Sequence, residues 1–352
     1  MKVNIRYISL GLLAILCSCT EIDISAGREI ALSCRVSSVT ASTKADPIPY
    51  NGSLPSKDAP LNAILLLSTD DKVFDDPVNK DDNNLPCHTT IRYEDGSLTY
   101  PSSVRNGEST VYAKYPYDEI LNRGENVYCV GLYQNPDQLA QDYVGPNWEF
   151  DNDYKHVSHK INGIQDIMLA PRISGSWEER FASQNYHHLL TWLKISICAT
   201  NMDAAMAWGG IKSIVVTAPS VVTVPLGSHV DVDGNLIFGN DGISYGGESS
   251  EYTISSASGM IPLGITSREV GSIFCAPSST YDLTINMQNG MTVATQISLN
   301  ALKPGITVDQ GYAAGKVFVA NLYFTDLSVV EGVCSLIAWN EQKEDLYGSD
   351  QE

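Results

Sequence analysis

The chain has 352 residues and carries 41 acidic against 22 basic side chains, a net charge of −19 at pH 7. That balance opposes binding to nucleic acid, which needs basic side chains to neutralise phosphates, and it repels anionic lipid surfaces. A composition rich in Tyr (18), Gly (27), Ser, Thr and Asn suits strands and tight turns better than helices, so an all-β fold is expected.

The N-terminus starts with Lys2 and Arg6, continues as the apolar run Ile8–Leu16, and reaches Cys17-Ser18-Cys19. A charged start before a short apolar core has the shape of a secretory signal. The run is far short of the roughly 18 apolar residues that a spanning helix needs. Leu16-Cys17-Ser18-Cys19 resembles the bacterial lipobox, in which a diacylglyceryl group joins the cysteine thiol and cleavage leaves that cysteine first in the chain. Cys19 is the expected lipidation site, because Cys17 has only Ile15 and Leu16 in the small-residue positions before it. A plain signal peptide with two incidental cysteines is the other reading. Removing residues 1–18 takes away two bases and no acid, so the mature chain is more acidic still. The expected contact with a membrane is through the lipid anchor alone.

Beyond Cys19 lie Cys34, Cys87, Cys129, Cys198, Cys275 and Cys334, widely spaced and without a C-x-x-C pair. That spacing gives no zinc site. An exported chain permits disulfides, but Cys198 and Cys334 sit inside apolar strand-like runs, where cysteine behaves as a small hydrophobe. Mostly reduced, buried cysteines are expected.

In chain order the candidate strands are Ile30–Val39, Ala63–Ser68, Thr110–Tyr115, Asn126–Tyr133, Leu189–Cys198, Ile211–Thr217, Val221–Leu226, Asn235–Phe238, Lys316–Phe324 and Val333–Trp339. The clearest hairpin joins Tyr281–Gln288 to Met291–Leu299. Its apolar residues alternate as Tyr281, Leu283, Ile285 and Met287, then Met291, Val293, Ile297 and Leu299, and Asn289-Gly290 predicts a type I′ turn between them. Helical periodicity is weak; Asp137–Asp142 and Met202–Ala207 are the only short helical turns expected. Residues 134–186 read as polar and turn-rich, and an apolar strand restarts at Leu189, so a domain break is placed near residue 185. Many short strands at this spacing indicate β-sandwiches.

Several constellations carry a chemical reading. His187-His188 could ligate a metal, but neighbours on a strand point to opposite faces and cannot chelate together. Asp231-Val232-Asp233-Gly234-Asn235 is similar to a calcium loop, yet the twelfth position is Gly242, where such a loop needs a bidentate Glu. An Asp-Gly turn explains it better. The aspartates of Asp70–Asn84 read as a solvated loop. No G-x-S-x-G, H-E-x-x-H or phosphate-binding glycine loop occurs. No catalytic residue, metal or cofactor is assigned, and the chain reads as a non-enzyme.

The lipobox followed by Cys19-Thr20-Glu21, the stretch Asp166-Ile167-Met168-Leu169-Ala170, and the strand Tyr186-His187-His188-Leu189-Leu190-Thr191-Trp192-Leu193 occur in the order found in the fimbrillins, the two-domain lipoprotein pilins of type V fimbriae in Bacteroidales. Gly315–Leu322 is similar to that family's penultimate strand, with Phe318 in place of Tyr. Leu336-Ile337-Ala338-Trp339 is similar to its terminal element. The resemblance implies two transthyretin-like β-sandwich domains in tandem. The expected division is a signal peptide (1–18), a lipidated leader with a candidate first strand (19–44), an N-terminal sandwich (45–185), a C-terminal sandwich (186–328) and a C-terminal strand with an acidic tail (329–352).

The resemblance also implies an assembly mechanism. A trypsin-like protease removes the lipidated leader with the first strand, for which Lys44 is the preferred processing site. A strand of the next subunit then fills the vacated groove. The candidate donor is Val329–Trp339, with Val333, Ile337 and Trp339 pointing into the groove; the other reading is an ordinary last strand of the second domain. The implied partners are other fimbrial subunits and a host or bacterial surface receptor, with an outer-membrane, lipid-anchored precursor at the cell surface. The alternative is a glycan-binding outer-membrane surface lipoprotein. Trp148, Trp177 and Trp208 would form its aromatic platform, unless they simply pack under loops.

Overall fold

The computed structural model describes residues 34–36, 61–68, 87–94, 97–105, 111–112, 126–133, 148–151, 155–176, 184–227, 229–231, 235–302, 308–325 and 330–337. Among them the chain is all-β, with strands in three hydrogen-bonded sheets and little helix. The first sheet runs in the spatial order β1 (Cys34–Val36), β10 (Gln184–His188), β9 (Met168–Ser176), β6 (Asn126–Tyr133), β2 (Leu61–Ser68), β3 (Cys87–Glu94), β4 (Ser97–Arg105) and β5 (Val111–Tyr112). Strand β1 pairs parallel with β10, and the remaining neighbours are antiparallel.

The second sheet is β14 (Arg268–Cys275), β11 (Thr191–Ala199), β17 (Val317–Phe324) and β18 (Val330–Ile337). The third is β16 (Thr292–Ser298), β15 (Thr280–Met287), β12 (Ile211–Pro225), β8 (His156–Lys160) and β7 (Trp148–Phe150), with β13 (Ser244–Ser255) also on β12. These two sheets share one apolar core. Leu193, Ile195 and Ile197 of β11 and Phe318, Leu322 and Phe324 of β17 are fully buried with Ile214, Val216, Val222 and Val224 of β12 and Leu283 and Ile285 of β15. Each such side chain contributes about 1.5–3 kcal/mol by leaving water. The sheets interleave along the chain: β8 precedes residue 185 yet pairs with β12 beyond it, with β7 on its other side, while β10 belongs to the first sheet. Short inward alternations such as Val157 and His159 in β8 were hidden inside the polar stretch 134–186.

Two expectations are corrected by register. Asn289-Gly290 does not form a two-residue type I′ loop. Tyr281 pairs with Ile297 and Asn286 with Thr292, and the Met287 amide donates to Met291 O, which leaves Gln288-Asn289-Gly290 as a three-residue loop with Gly290 at φ 89°. The physical reason is face matching. A two-residue loop would set Tyr281 and Leu283 opposite Ser298 and Gln296, and Ile285 opposite Ala294 in place of Val293, since a one-residue slip turns a strand over. Likewise Ile211–Thr217 and Val221–Leu226 are not two strands but one, β12, bent at Pro219. Its register with β13 shifts between Pro219 and Val221, where β13 carries one extra residue and Gly247 sits at φ 81°. The bulge keeps both halves in one ladder.

Asn235–Phe238 is not a strand either; Leu236 and Phe238 make only isolated bridges, to Val230 and Ile243. Met202–Ala207 does form a helix, α1 (Met202–Trp208), capped by Asn201, whose side chain accepts from the Ala204 amide at 2.7 Å. A second short helix, α2 (Gln310–Ala313), is capped by Asp309. Asp137–Asp142 lies outside the described residues.

Candidate assembly site at the two sheet edges

Strand β1 stands at the edge of the first sheet and meets it through three register pairs: Cys34 with Gln184, Arg35 with Asn185, and Val36 with Tyr186. The strand beneath it, β10, is secured independently. His187 and His188 pair with Leu169 and Met168 of β9. Gln184 is fully buried; its amide donates to Cys129 Sγ at 3.2 Å, and its carbonyl accepts from Tyr186 Oη at 3.3 Å. Tyr186 is also fully buried, and a Cβ on Gly131 of β6 would meet its hydroxyl at 2.5 Å. Burial pushes the Cys129 thiol far above its ordinary range. This polar cluster anchors the row of backbone groups that β1 covers.

At the other end of the chain, β18 is the edge of the second sheet and pairs antiparallel with β17, from Phe324 with Val330 to Val317 with Ile337. Val330 and Cys334 face the core, and burial raises the Cys334 thiol to about 11. Val333 on the opposite face is 55 % exposed. Gly332 lies so close to β16 that a Cβ there would meet Ile297 Cγ2 at 2.6 Å. Thr295 Oγ1 donates to Val330 O at 3.2 Å. The inward load of β18 is thus light, whereas β17 beside it buries Val317, Phe318, Ala320, Leu322 and Phe324 completely.

Of the residues singled out in the sequence, Cys19, Lys44, Trp177, Trp339 and Asp70–Asn84 lie outside the described residues. Ile337 ends β18 opposite Val317. His187 and His188 do part to different environments: His187 Nε2 lies 3.2 Å from Asn185 Nδ2, and His188 Nδ1 lies 2.5 Å from Asp166 Oδ2 in the interior. Asp231 Oδ1 accepts from the Asn235 amide at 2.8 Å. Trp148 and Trp208 are 2 % and 4 % exposed, with indole N–H groups donating to Tyr133 O and Thr325 O, so neither offers a face to a sugar. Among the described residues Cys129, Cys198, Cys275 and Cys334 are free thiols, and all but Cys198 are buried. Among the described residues no group of His, Cys, Asp and Glu is arranged to hold a metal ion.

Sequence reading missed two buried polar joints. Asp166 and His188 belong to separate sequence motifs, and only the pairing of β9 with β10 brings them together. His229, fully buried, has Nδ1 2.9 Å from Pro225 O, while Nε2 accepts from the Arg172 amide at 3.2 Å. It ties β9 of the first sheet to the end of β12 in the third, and nothing local in the sequence signals it.

No family model matches the sequence, and no curated protein does. Solved structures that resemble it include a candidate cell adhesion protein from Bacteroides uniformis, at 15% identity and TM-score 0.43, covering 79% of this chain and 91% of that one. A candidate polysaccharide-binding protein from Bacteroides thetaiotaomicron follows at 11% and 0.39, with 79% and 90% covered. The fimbrial anchor protein Mfa2 from Porphyromonas gingivalis is similar at 8% and 0.37, with 88% and 96% covered. Identities and scores this low leave the functional reading to this chain's own residues.

Proposed function

We infer that this chain is a lipid-anchored surface precursor of a fimbrial subunit, stalk or tip, which assembles by strand exchange and serves adhesion. The observation that carries the reading is the position of the first and last described strands. Both are sheet edges, so each can leave its sheet without breaking a ladder between other strands. Loss of β1 exposes the N–H and C=O groups of β10 while the Gln184–Tyr186–Cys129 cluster holds that strand in place. An exposed, rigid edge is a template for β-augmentation, in which main-chain hydrogen bonds give affinity and alternate side chains give specificity. The lightly loaded β18 is the donor in this reading, and cleavage after Lys44 removes the leader with β1. The order of motifs from Cys19 to Trp339 supports the same assignment.

The test is to treat purified precursor with trypsin and look for SDS-resistant ladders on gels and filaments by microscopy. Polymers that require cleavage are expected, with Lys44→Gln slowing their appearance. A cleaved chain that stays monomeric at high concentration overturns the reading. The burial of Trp148 and Trp208 removes two of the three aromatic residues on which a glycan platform would stand.

A further inference from the structure

The sulfur atoms of the described residues fall into two groups. Met168 and Met287 are 0 % and 2 % exposed within the core, whereas Met202, Met206, Met260 and Met291 are 59 %, 69 %, 45 % and 40 % exposed. The exposed four share one pole of the sandwich formed by the second and third sheets. Met202 and Met206 stand one turn apart on α1, whose opposite side buries Ala204, Ala205 and Trp208. The helix runs into Gly209-Gly210. The Gln288 amide donates to Gly210 O at 2.9 Å, and its side chain reaches Gly259 O at 2.5 Å, so the loop bearing Met260 and the turn bearing Met291 meet there. Met260 occupies the space beside Gly210, where a Cβ would come within 2.7 Å of its sulfur. Ile265, 53 % exposed, joins the patch through the bond from the Ala199 amide to Gly264 O.

We propose that this pole is a methionine oxidation site, at which a peroxide or hypohalous acid converts Met202, Met206, Met260 and Met291 to sulfoxides and turns an apolar patch polar. With peroxide, the thioether sulfur attacks one oxygen, the O–O bond breaks, an S–O bond forms and water leaves; the sulfur loses two electrons and the peroxide gains them. A thioether needs no deprotonation to react, and sulfoxide is reversible by the corresponding reductases. Among the described residues, three of the competing thiols, Cys129, Cys275 and Cys334, are buried. Burial holds Cys129 far above its ordinary range and Cys275 at about 12, and it raises Cys198 as well. The four exposed thioethers are thus more accessible to an oxidant than Met168 and Met287, and the patch can change polarity without entering the core.

The experiment exposes the full chain to limiting hydrogen peroxide and follows oxygen uptake by peptide mass spectrometry, hydrophobic-column retention and thermal melting. Uptake at the four polar-end residues about tenfold or more faster than at Met168 and Met287 is expected, with earlier elution and an unchanged melting temperature. A variant with all four replaced by Leu should keep its retention and lose that uptake. Equal rates in core and pole, first reaction at Cys198, or a collapse in melting temperature on oxidation would each overturn the proposal.

Discussion

His188 Nδ1 and Asp166 Oδ2 lie 2.5 Å apart, with both side chains withdrawn from solvent, where β9 and β10 pair. Asp166 Oδ1 also accepts from the Ile167 amide at 2.9 Å, and the Leu189 amide donates to Ile167 O at 2.8 Å. The two sequence stretches Asp166–Ala170 and Tyr186–Leu193 are thus partners of each other, and their shared element is a structural joint. Tyr245 Oη donates to Leu189 O at 2.5 Å just beyond it, which fastens β13 to the start of β11.

Replacing Asp166 by Ala should therefore destabilise the chain by about 3–5 kcal/mol, the usual cost of removing one partner of a buried pair. Denaturant midpoints of parent and variant measure it. A loss below about 1 kcal/mol, typical of exposed pairs, would mean that water reaches the site and that the pair holds nothing together.

His159 gives the pH dependence. It is 7 % exposed, edge-on to Trp148 at 4.8 Å between ring centroids, with Nδ1 2.7 Å from Lys160 O. Burial pushes its pKa down from 6.5 to about 4, the Lys160 carbonyl opposing weakly. In the unfolded chain the imidazole binds a proton near pH 6.5, while the folded chain resists until about 4. Its contribution to stability is complete above about 6.5 and lost between 6.5 and 4, at up to roughly 1.4 kcal/mol per pH unit. Urea midpoints between pH 7 and 4.5 should fall less steeply in His159→Phe than in the parent. Identical slopes would exclude His159 as a source of acid sensitivity.

Much of the strand content was legible because alternation is a local signal. Asn126–Tyr133 matches β6 end for end, and Leu193, Ile195 and Ile197 mark one face of β11. Strand β13 was not legible. It is an edge strand whose Gly246, Gly247, Glu248 and Ser249 are exposed, so nothing apolar marks that half, and only Tyr252 and Ile254 near its end alternate into the core. The pairs Asp166–His188 and Arg172–His229 are likewise invisible to spacing, because contacts between segments distant in sequence are set by strand pairing and sheet packing. At the candidate edges, the sequence pointed to the chain's two ends and to Val333 on one side of the last strand, but not to the Gln184–Tyr186–Cys129 cluster under β1.

Trp208 should behave as core. Its indole packs edge-on against Phe324 at 5.4 Å between centroids and donates to Thr325 O at 2.7 Å. Trp208→Ala should cost about 3–5 kcal/mol, as large-to-small core substitutions do, measured by chemical denaturation. Unchanged stability with lost retention on polysaccharide affinity gels would instead restore a sugar-binding role to this residue.

The two faces of β18 make the donor reading testable residue by residue. In the monomer Val333 is 55 % exposed on an edge strand, so Val333→Asp should shift stability by no more than about 0.5 kcal/mol, the range of ordinary surface substitutions. In a donor strand the same side chain fills the groove left by β1 on a neighbouring subunit. An unpaired carboxylate there costs several kcal/mol, on the order of the penalty for unmatched buried charge. Val333→Asp should therefore melt with the parent as an uncleaved monomer and fail to polymerise after cleavage. Cys334→Asp is the control: it faces the core at 9 % exposure and should lower the monomer's melting temperature. Truncation before Val330 should block polymers at a modest cost in melting temperature, because Val330 and Cys334 are the strand's buried apolar side chains among the described ones. Normal polymers from Val333→Asp would refute the donor role and leave β18 at home beside β17, an ordinary edge of the second sheet.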